Sequence, residues 1–307
     1  MASWLNRFPT RLSRWSLFAA ILAIALQVPA QAQPAPQQPS QDGPSGEAPI
    51  FIQLADPQFG MFTFDRDFAQ ETANYSFAVE NINRLRPQFV VICGDLINKP
   101  GDAAQATEYK RITAEIDPSI RVYAVPGNHD VGNEPTQELL DTYRERFGPD
   151  YYSFREGDVY GIVLDSSLLG APKNVPKEAE RQKEWLREEL KTAQASGARH
   201  IVVFQHHSWF LENPEEEDQY FNIPRETRAE YLKMLKDAGV KYVFAGHYHR
   251  NALATDGDLE MITSGPVGQP LGDDPSGLRI VTVGEDRLTH HYYPLGRIPN
   301  QYSPPEQ

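Results

Sequence analysis

The chain has 307 residues, 40% of them apolar, with 42 acidic against 29 basic side chains and a formal charge of −13. That size and apolar share suit one large folded domain with a buried core and short tails. The acidic balance argues against a protein that tracks nucleic-acid backbones or anionic lipid, but a small phosphate ester stays admissible because a metal centre can reverse the field locally.

In chain order, residues 1–32 read as a signal peptide. Arg7, Arg11 and Arg14 precede an apolar run from Leu17 to Val28, and Ala30-Gln31-Ala32 offers a small-residue cleavage site. The run is shorter than the roughly 20 apolar residues of a spanning helix, so export is expected, to the periplasm or medium, with no stable membrane insertion after cleavage. Residues 33–48, rich in Pro, Gln and Ser, read as a disordered linker. A single domain is expected over 49–296, followed by a disordered tail at 297–307. Cys93 is the only cysteine, which leaves no intrachain disulfide and suits a packed core thiol.

Within the domain, short apolar runs at 50–54, 89–93, 122–125, 201–204 and 242–245 predict buried strands. Helical periodicity predicts helices over 68–85, 177–195 and 225–238. In the second, Trp185, Leu186 and Leu190 form a stripe; in the third, Tyr231, Leu232 and Leu235 share a face and Gly239 marks the stop. The runs 151–155 and 159–164, separated by Glu156-Gly157-Asp158, predict a hairpin, and further strands are expected at 259–263, 278–283 and 288–293. No internal repeat is visible. The fold class is α/β, a layered β-sandwich flanked by helices.

Potential metal ligands recur where these strands end, the usual place for ligand sites in open α/β sheets. The clusters are Asp56-Pro57-Gln58, Gly94-Asp95-Leu96-Ile97-Asn98, Gly127-Asn128-His129-Asp130, His206-His207 and Gly246-His247-Tyr248-His249. Residues two apart in extended chain point the same way, which would put Asp56 with Gln58 and His247 with His249. Singly, each cluster has a plain reading as a helix cap, a polar turn or a surface pair. Together, each following an apolar run, they point to one metal-binding site.

This arrangement resembles the calcineurin-like metallophosphoesterase superfamily, whose usual pattern is Asp-x-His, Gly-Asp, Gly-Asn-His-Asp/Glu, a later His, and Gly-His-x-His. The resemblance spans residues 50–295. It is closest to the calcineurin-like phosphoesterase domain-containing branch described as serine/threonine phosphatases, through Ala-Asp-Pro-Gln-Phe-Gly (55–60), Gly-Asn-His-Asp-Val-Gly-Asn (127–133), Tyr-Phe-Asn (220–222), Gly-His-Tyr-His-Arg-Asn (246–251) and Asp-Pro-Ser-Gly-Leu-Arg (274–279). The resemblance implies two divalent or trivalent metal ions (Mn, Fe, Mg or Zn), one held by Asp56, Gln58 and His249, the other by Asn128, His206 and His247, with Asp95 between them. His206 is the first histidine after its apolar run, which leaves His207 behind the ligands. Gln58 stands where most of the superfamily has histidine, and its harder, weaker amide oxygen implies looser binding there and a tilt towards manganese, magnesium or iron over zinc.

The implied activity is that of a phosphomonoesterase, and through the branch a serine/threonine protein phosphatase, in which hydroxide shared by the ions attacks phosphorus in line. His129 is the candidate acid for the leaving oxygen, with Asp130 as its hydrogen-bond partner. Asn128 and Arg250 are candidate phosphate-binding groups, although Arg250 also reads as a surface salt bridge. Tyr220 and Phe221 are candidate walls for the substrate, a small phosphate ester or a phosphorylated protein, and the acids of 211–221 read as solvated. Asn98 reads as a helix cap, with substrate positioning as the alternative, and Asp165 either as a polar residue behind the site or as a hairpin-end acid. Alternative readings are a phosphodiesterase acting on cyclic nucleotides or glycerophosphodiesters, and an inactive metal-binding scaffold. The oligomeric state is not legible.

Overall fold

The computed structural model describes residues 48–303; the expected signal peptide, nearly all of the expected linker and residues 304–307 lie outside the described residues. The chain runs β1 (Ile50–Leu54), α1 (Ala69–Leu85), β2 (Phe89–Cys93), α2 (Ala103–Thr113), β3 (Arg121–Val125), α3 (Asn128–Val131) and α4 (Gln137–Phe147). It continues through β4 (Tyr152–Glu156), β5 (Val159–Val163), α5 (Ser166–Gly170), α6 (Pro176–Ala195), β6 (His200–Phe204) and α7 (Arg225–Asp237). It closes with β7 (Tyr242–Ala245), β8 (Ala252–Asp256), β9 (Leu259–Thr263), β10 (Gly277–Val283) and β11 (Leu288–Pro294).

These strands form two mixed sheets. The first has five strands in the order β11-β10-β1-β2-β3, the second six in the order β4-β5-β6-β7-β9-β8. Strands β1, β2 and β3 run parallel, as do β5, β6, β7 and β9. Because successive side chains on a strand point to opposite faces, each apolar run feeds two cores at once. Ile52, Leu54, Val90 and Ile92 pack outward with Val79 and Ile82 of α1, Ile112 of α2 and Leu140 of α4. Phe51, Phe89, Val91 and Cys93 point inward and meet Phe154, Val163, Phe204 and Phe244 of the second sheet. Val203 and Val243 face the other way, onto Leu186 and Leu190 of α6 and Tyr231 and Leu235 of α7. The layers are therefore helix, sheet, sheet, helix, in keeping with the expected sandwich.

Phe51 ties the sheets together. Its ring stacks on Phe89 at 4.7 Å and meets Phe204 and Phe244 edge-on at 5.8 and 5.6 Å. Cys93 lies in the same dry layer, where burial pushes its thiol pKa up to about 12, as befits an inert core thiol.

Helices α2 and α4 are not among the predicted elements, yet both carry conventional start signals. Asp102 accepts from the backbone N–H of Ala104 and Gln105, and Thr136 from that of Leu139. The missed strand β8 is a half-exposed edge, so its apolar alternation is weak. Beyond the expected boundary at 296 the chain keeps packing. Ile298 and Tyr302 rest on the first core, Tyr302 Oη lies 2.9 Å from Thr282 Oγ1, and Arg84 donates to the carbonyls of Pro299 and Asn300. The polar, Pro-rich end of the chain hid these two anchors, and residues 297–303 belong to the folded unit. Among the described residues no helix is long and apolar enough to cross a membrane.

Truncating Phe51 leaves a void against both sheets. Phe51→Ala is expected to lower the unfolding free energy by about 3–5 kcal/mol in chemical denaturation. Phe64→Ala, at a side chain 85% exposed, should stay within about 0.5 kcal/mol of the parent.

Candidate metal centre

The ends of β1, β2, β3, β6 and β7 deliver the polar clusters to one place, by a backbone device that differs from the extended-chain expectation. Asp56, Gln58, Asp95, His247 and His249 have φ of 49°, 40°, 50°, 67° and 54°, all in the left-handed region. Each such non-glycine residue costs on the order of 1–3 kcal/mol and persists only where its surroundings impose it. Here they do. The N–H of Asp56 binds the Gly94 carbonyl at 3.1 Å, that of Gln58 the Asp95 carbonyl at 2.8 Å, and that of Gly246 the His206 carbonyl at 3.0 Å. Asp56 and Gln58, like His247 and His249, thus reach the site through sharp turns rather than through the pleat of a strand.

Two motif glycines are required by close approach. A Cβ on Gly127 would fall 2.2 Å from Asp95 Oδ1, and one on Gly246 2.6 Å from Asp56 Oδ2. Glycine at these two turns is thus a packing requirement of the Asp95 and Asp56 segments themselves.

Two ligand-like groups form, Asp56 with Asp95 and His249, and Asp95 with His206 and His247, and Asp95 is common to both. Asp95 Oδ1 accepts the backbone N–H of His129 at 2.8 Å, and Asp95 Oδ2 lies 3.2 Å from His206 Nε2. Asp56 accepts the N–H of His247 and lies 3.3 Å from His249 Nε2. All five residues are buried. Backbone carbonyls fix which nitrogen of each histidine faces the cluster: Cys93 O holds His206 Nδ1 at 2.9 Å, Gln269 O holds His249 Nδ1 at 2.6 Å, and Tyr220 O holds His247 Nε2 at 3.0 Å.

Burial opposes the charged form of Asp95, but His206, His129 and His247 outweigh it and hold the carboxyl well below its usual range. Burial pulls His206 down, yet Asp95 above all lifts it to about 9. His247, by contrast, is pushed to about 4 by burial and by its neighbour His206. Asp95 therefore favours positive charge beside it, whereas burial and His206 disfavour a second proton on His247.

Gln58 supplies the clearest sign that a cation fits. Its Nε2 donates to Asn98 Oδ1 at 3.1 Å, while its Oε1 is buried without a hydrogen-bond partner. An orphaned amide oxygen costs about 1–3 kcal/mol unless something electropositive meets it. Asn128 also turns its oxygen to the cluster, though with a partner there: Nδ2 donates to Asn133 Oδ1 and Tyr220 Oη, and Oδ1 sits 3.0 Å from His206 Nε2. Carboxylate, amide-oxygen and imidazole donors together suit divalent ions such as manganese, iron, magnesium or zinc.

The other candidates divide. His129 donates its backbone N–H to Asp95, and its Nδ1 lies 2.6 Å from the Asn98 carbonyl, so its half-buried ring is anchored at Nδ1 with Nε2 left over. Asp130 does not partner that ring. Its carboxylate accepts the N–H groups of Leu96, Ile97 and Gly127, which makes it the clamp between the β2 and β3 loops; adjacent residues on the short α3 face apart. Asn98 caps no helix, since that role belongs to Asp102. Asp165 caps α5 and pairs through its backbone with Gln182. His207 lies behind the ligands, held by Ser166 Oγ at 2.8 Å, with its ring 4.2 Å from that of His247.

Arg250 makes no salt bridge among the described residues. Its guanidinium lies over the Tyr248 ring at 5.1 Å and donates to the Leu271 carbonyl. Tyr220 and Phe221 pack on His247 at 4.8 and 5.5 Å, and Tyr220 Oη reaches Asn128 and Asn133. In their loop Glu212, Glu215, Glu217 and Asp218 are exposed, as expected, while Glu216 pins the turn. Glu216 accepts from the N–H groups of Leu211, Glu212 and Asn213 and from Asn222 Nδ2, and buried Arg228 donates to the carbonyls of Pro214, Glu216 and Ile223. Asn133 was not among the sequence candidates, although it closes the string Gly-Asn-His-Asp-Val-Gly-Asn. Asp65 and Gln105 carried no motif signal at all.

Comparison with known proteins agrees with this geometry. Residues 51–251 match the family described as calcineurin-like phosphoesterase. The chain is 40% identical over 264 residues to the human serine/threonine-protein phosphatase CPPED1, covering 81% of this chain and 84% of the relative, and 38% identical to its zebrafish (Danio rerio) counterpart. In fold it is similar to a dimetal phosphatase from Danio rerio (TM-score 0.62, 17% identity, covering 81% of this chain and 97% of that one). A purple acid phosphatase from yellow lupin is comparable (TM-score 0.60, 14% identity, covering 84% and 53%). By its motifs, its fold and its relatives, the chain belongs to the calcineurin-like phosphoesterase family.

Proposed function

We propose that this phosphoesterase is a binuclear-metal phosphomonoesterase acting on phosphorylated protein or peptide side chains. The observation that carries the reading is Asp95, one buried carboxylate common to two ligand-like groups. Asp56, Gln58 and His249 would hold one metal and Asn128, His206 and His247 the other, with Asp95 available to both. Bound there, the ions supply Lewis acidity that lowers the pKa of water towards ~7 and offsets phosphoryl charge.

The remaining residues bind, orient and move protons. With Nδ1 committed to the Asn98 carbonyl, His129 presents Nε2 as the atom that gives a proton to the departing ester oxygen. Arg250, whose guanidinium has no acid partner among the described residues, is placed beside His249 to attract a phosphate oxygen. Tyr220 and Phe221 wall the side next to His247.

Exposed apolar side chains support a substrate with an apolar or peptide alcohol portion. Phe64 (85% exposed), Tyr220 (57%) and Leu271 (43%) stand on three loops that bind the Gln58 carbonyl through Met61 N–H, Asn128 through Tyr220 Oη and Arg250 through the Leu271 carbonyl. The acidic balance disfavours nucleoside polyphosphates, and the CPPED1 relatives, serine/threonine-protein phosphatases, support a phosphoprotein substrate. The basic-then-apolar start of the sequence supports export to the periplasm or medium, with cleavage after Ala32.

His129→Ala should retain its metals and lose roughly 10²- to 10⁴-fold in turnover on alkyl phosphates, with a smaller loss on an activated aryl phosphate. Equal losses on both would remove His129 from the acid role. Chelation should abolish turnover of para-nitrophenyl phosphate and manganese should restore it, while the bis ester should turn over much more slowly. A faster rate on the diester would reassign the enzyme as a phosphodiesterase.

A further inference from the structure

We propose that Asp65 is a positioning residue that sets the amide polarity of Gln58, so that oxygen rather than nitrogen faces the metal centre. The two ends of a side-chain amide have nearly the same shape, and only their partners decide which end points where. Three side chains run in series. Asp65 Oδ1 accepts from Asn98 Nδ2 at 2.8 Å, Asn98 Oδ1 accepts from Gln58 Nε2 at 3.1 Å, and Gln58 Oε1 is the buried atom left without a partner.

The direction of this series is forced from its outer end. A carboxylate has no donor, so Asn98 must turn its NH₂ to Asp65; its oxygen then faces Gln58, and Gln58 must answer with its own NH₂. Reversing either amide brings two donors or two acceptors together. Gln105 fixes the same end independently. Its Oε1 accepts the N–H groups of Asn98 and Lys99 at 3.1 and 2.9 Å, which leaves Nε2 to donate to Asp65 Oδ1 at 2.7 Å.

The loop is shaped around this junction. Asp65 has φ 62° with its N–H on the Gly60 carbonyl at 2.8 Å. Gly60 has φ 111°, and a Cβ there would fall 2.5 Å from Gln105 Nε2 and 2.9 Å from Asp65 Oδ1, so only glycine leaves room for both. The Asn98 carbonyl also anchors His129 Nδ1, so the residue that orients the ligand also fixes the candidate acid. A neutral amide is a weak metal donor, and one with the wrong end forward is no donor at all; an imidazole at position 58 can move its proton to the other ring nitrogen and so does not depend on an amide's polarity.

The inference rests on Gln58 being a ligand, and the test separates the two claims. Mn²⁺ binding to the metal-stripped mature domain would be followed by calorimetry, with the melting temperature of the stripped protein in parallel. Asp65→Gly, which suits the left-handed φ, is expected to weaken one of two Mn²⁺ sites by roughly 10- to 100-fold and leave the other within about twofold. Asp65→Asn keeps an oxygen at that place and should stay within about threefold of the parent, whereas in a Gln58→His background Asp65→Gly should cost less than about threefold. Asn98→Ala breaks the series at its middle and should reproduce the one-site loss. Unchanged binding in Asp65→Gly or Asn98→Ala, or an equal loss in both backgrounds, overturns the proposal. If Gln58→Ala binds both ions like the parent, the ligand assignment falls with it; if Gln58→Ala loses a site and Asp65→Gly does not, only the positioning role falls.

Discussion

Asp95 holds a carboxylate that is buried between loops from distant parts of the chain. One oxygen takes the His129 N–H from the loop after β3, the other faces His206 from the loop after β6, and the Gln58 N–H binds its backbone carbonyl. A charge so placed is tolerated only when positive groups surround it, and the geometry of the other ligands follows from that demand. Gly127 lacks a side chain because the Asp95 carboxylate fills the space, and Asp130 straps the two loops together from behind.

The sandwich makes this convergence possible. Parallel strands in each sheet end on the same side, so β1, β2 and β3 bring Asp56, Asp95 and Asn128 while β6 and β7 bring His206, His247 and His249. An aromatic layer centred on Phe51 fixes the sheets face to face below the site. Rigid packing beneath and left-handed turns above divide the labour: the core sets where the loops begin, and the hydrogen-bonded turns set where the side chains point. Strain at five non-glycine positions is the local expense of aiming so many acceptors at one spot.

The strands and the residues that gather at their ends were legible because their chemistry is local: a buried strand must be apolar along its length, and a candidate metal site needs acceptors wherever such strands end. The means of delivery was not. Extended-chain alternation put Asp56 with Gln58 and His247 with His249, whereas the backbone achieves this through positive φ values that no side-chain pattern encodes. Asp130 illustrates a related gap, since an acid beside a histidine in sequence invited a pairing that the short helix α3 forbids. Arg250 and Asn98 look like ordinary surface or capping residues until tertiary contacts are known, because their partners are backbone atoms on other loops, and Glu216 looks like one more exposed acid until the fold of its own loop is known. Asp65 was invisible for the same reason, as its effect passes through another residue to reach the site.

The central claim is that Asp95 serves two cations at once. The most direct measurement is anomalous diffraction from crystals of the mature domain equilibrated with manganese. Two peaks should flank Asp95, one against Asp56, Gln58 and His249 and the other against Asn128, His206 and His247. A single peak, or none within ligand distance of Asp95, would contradict it.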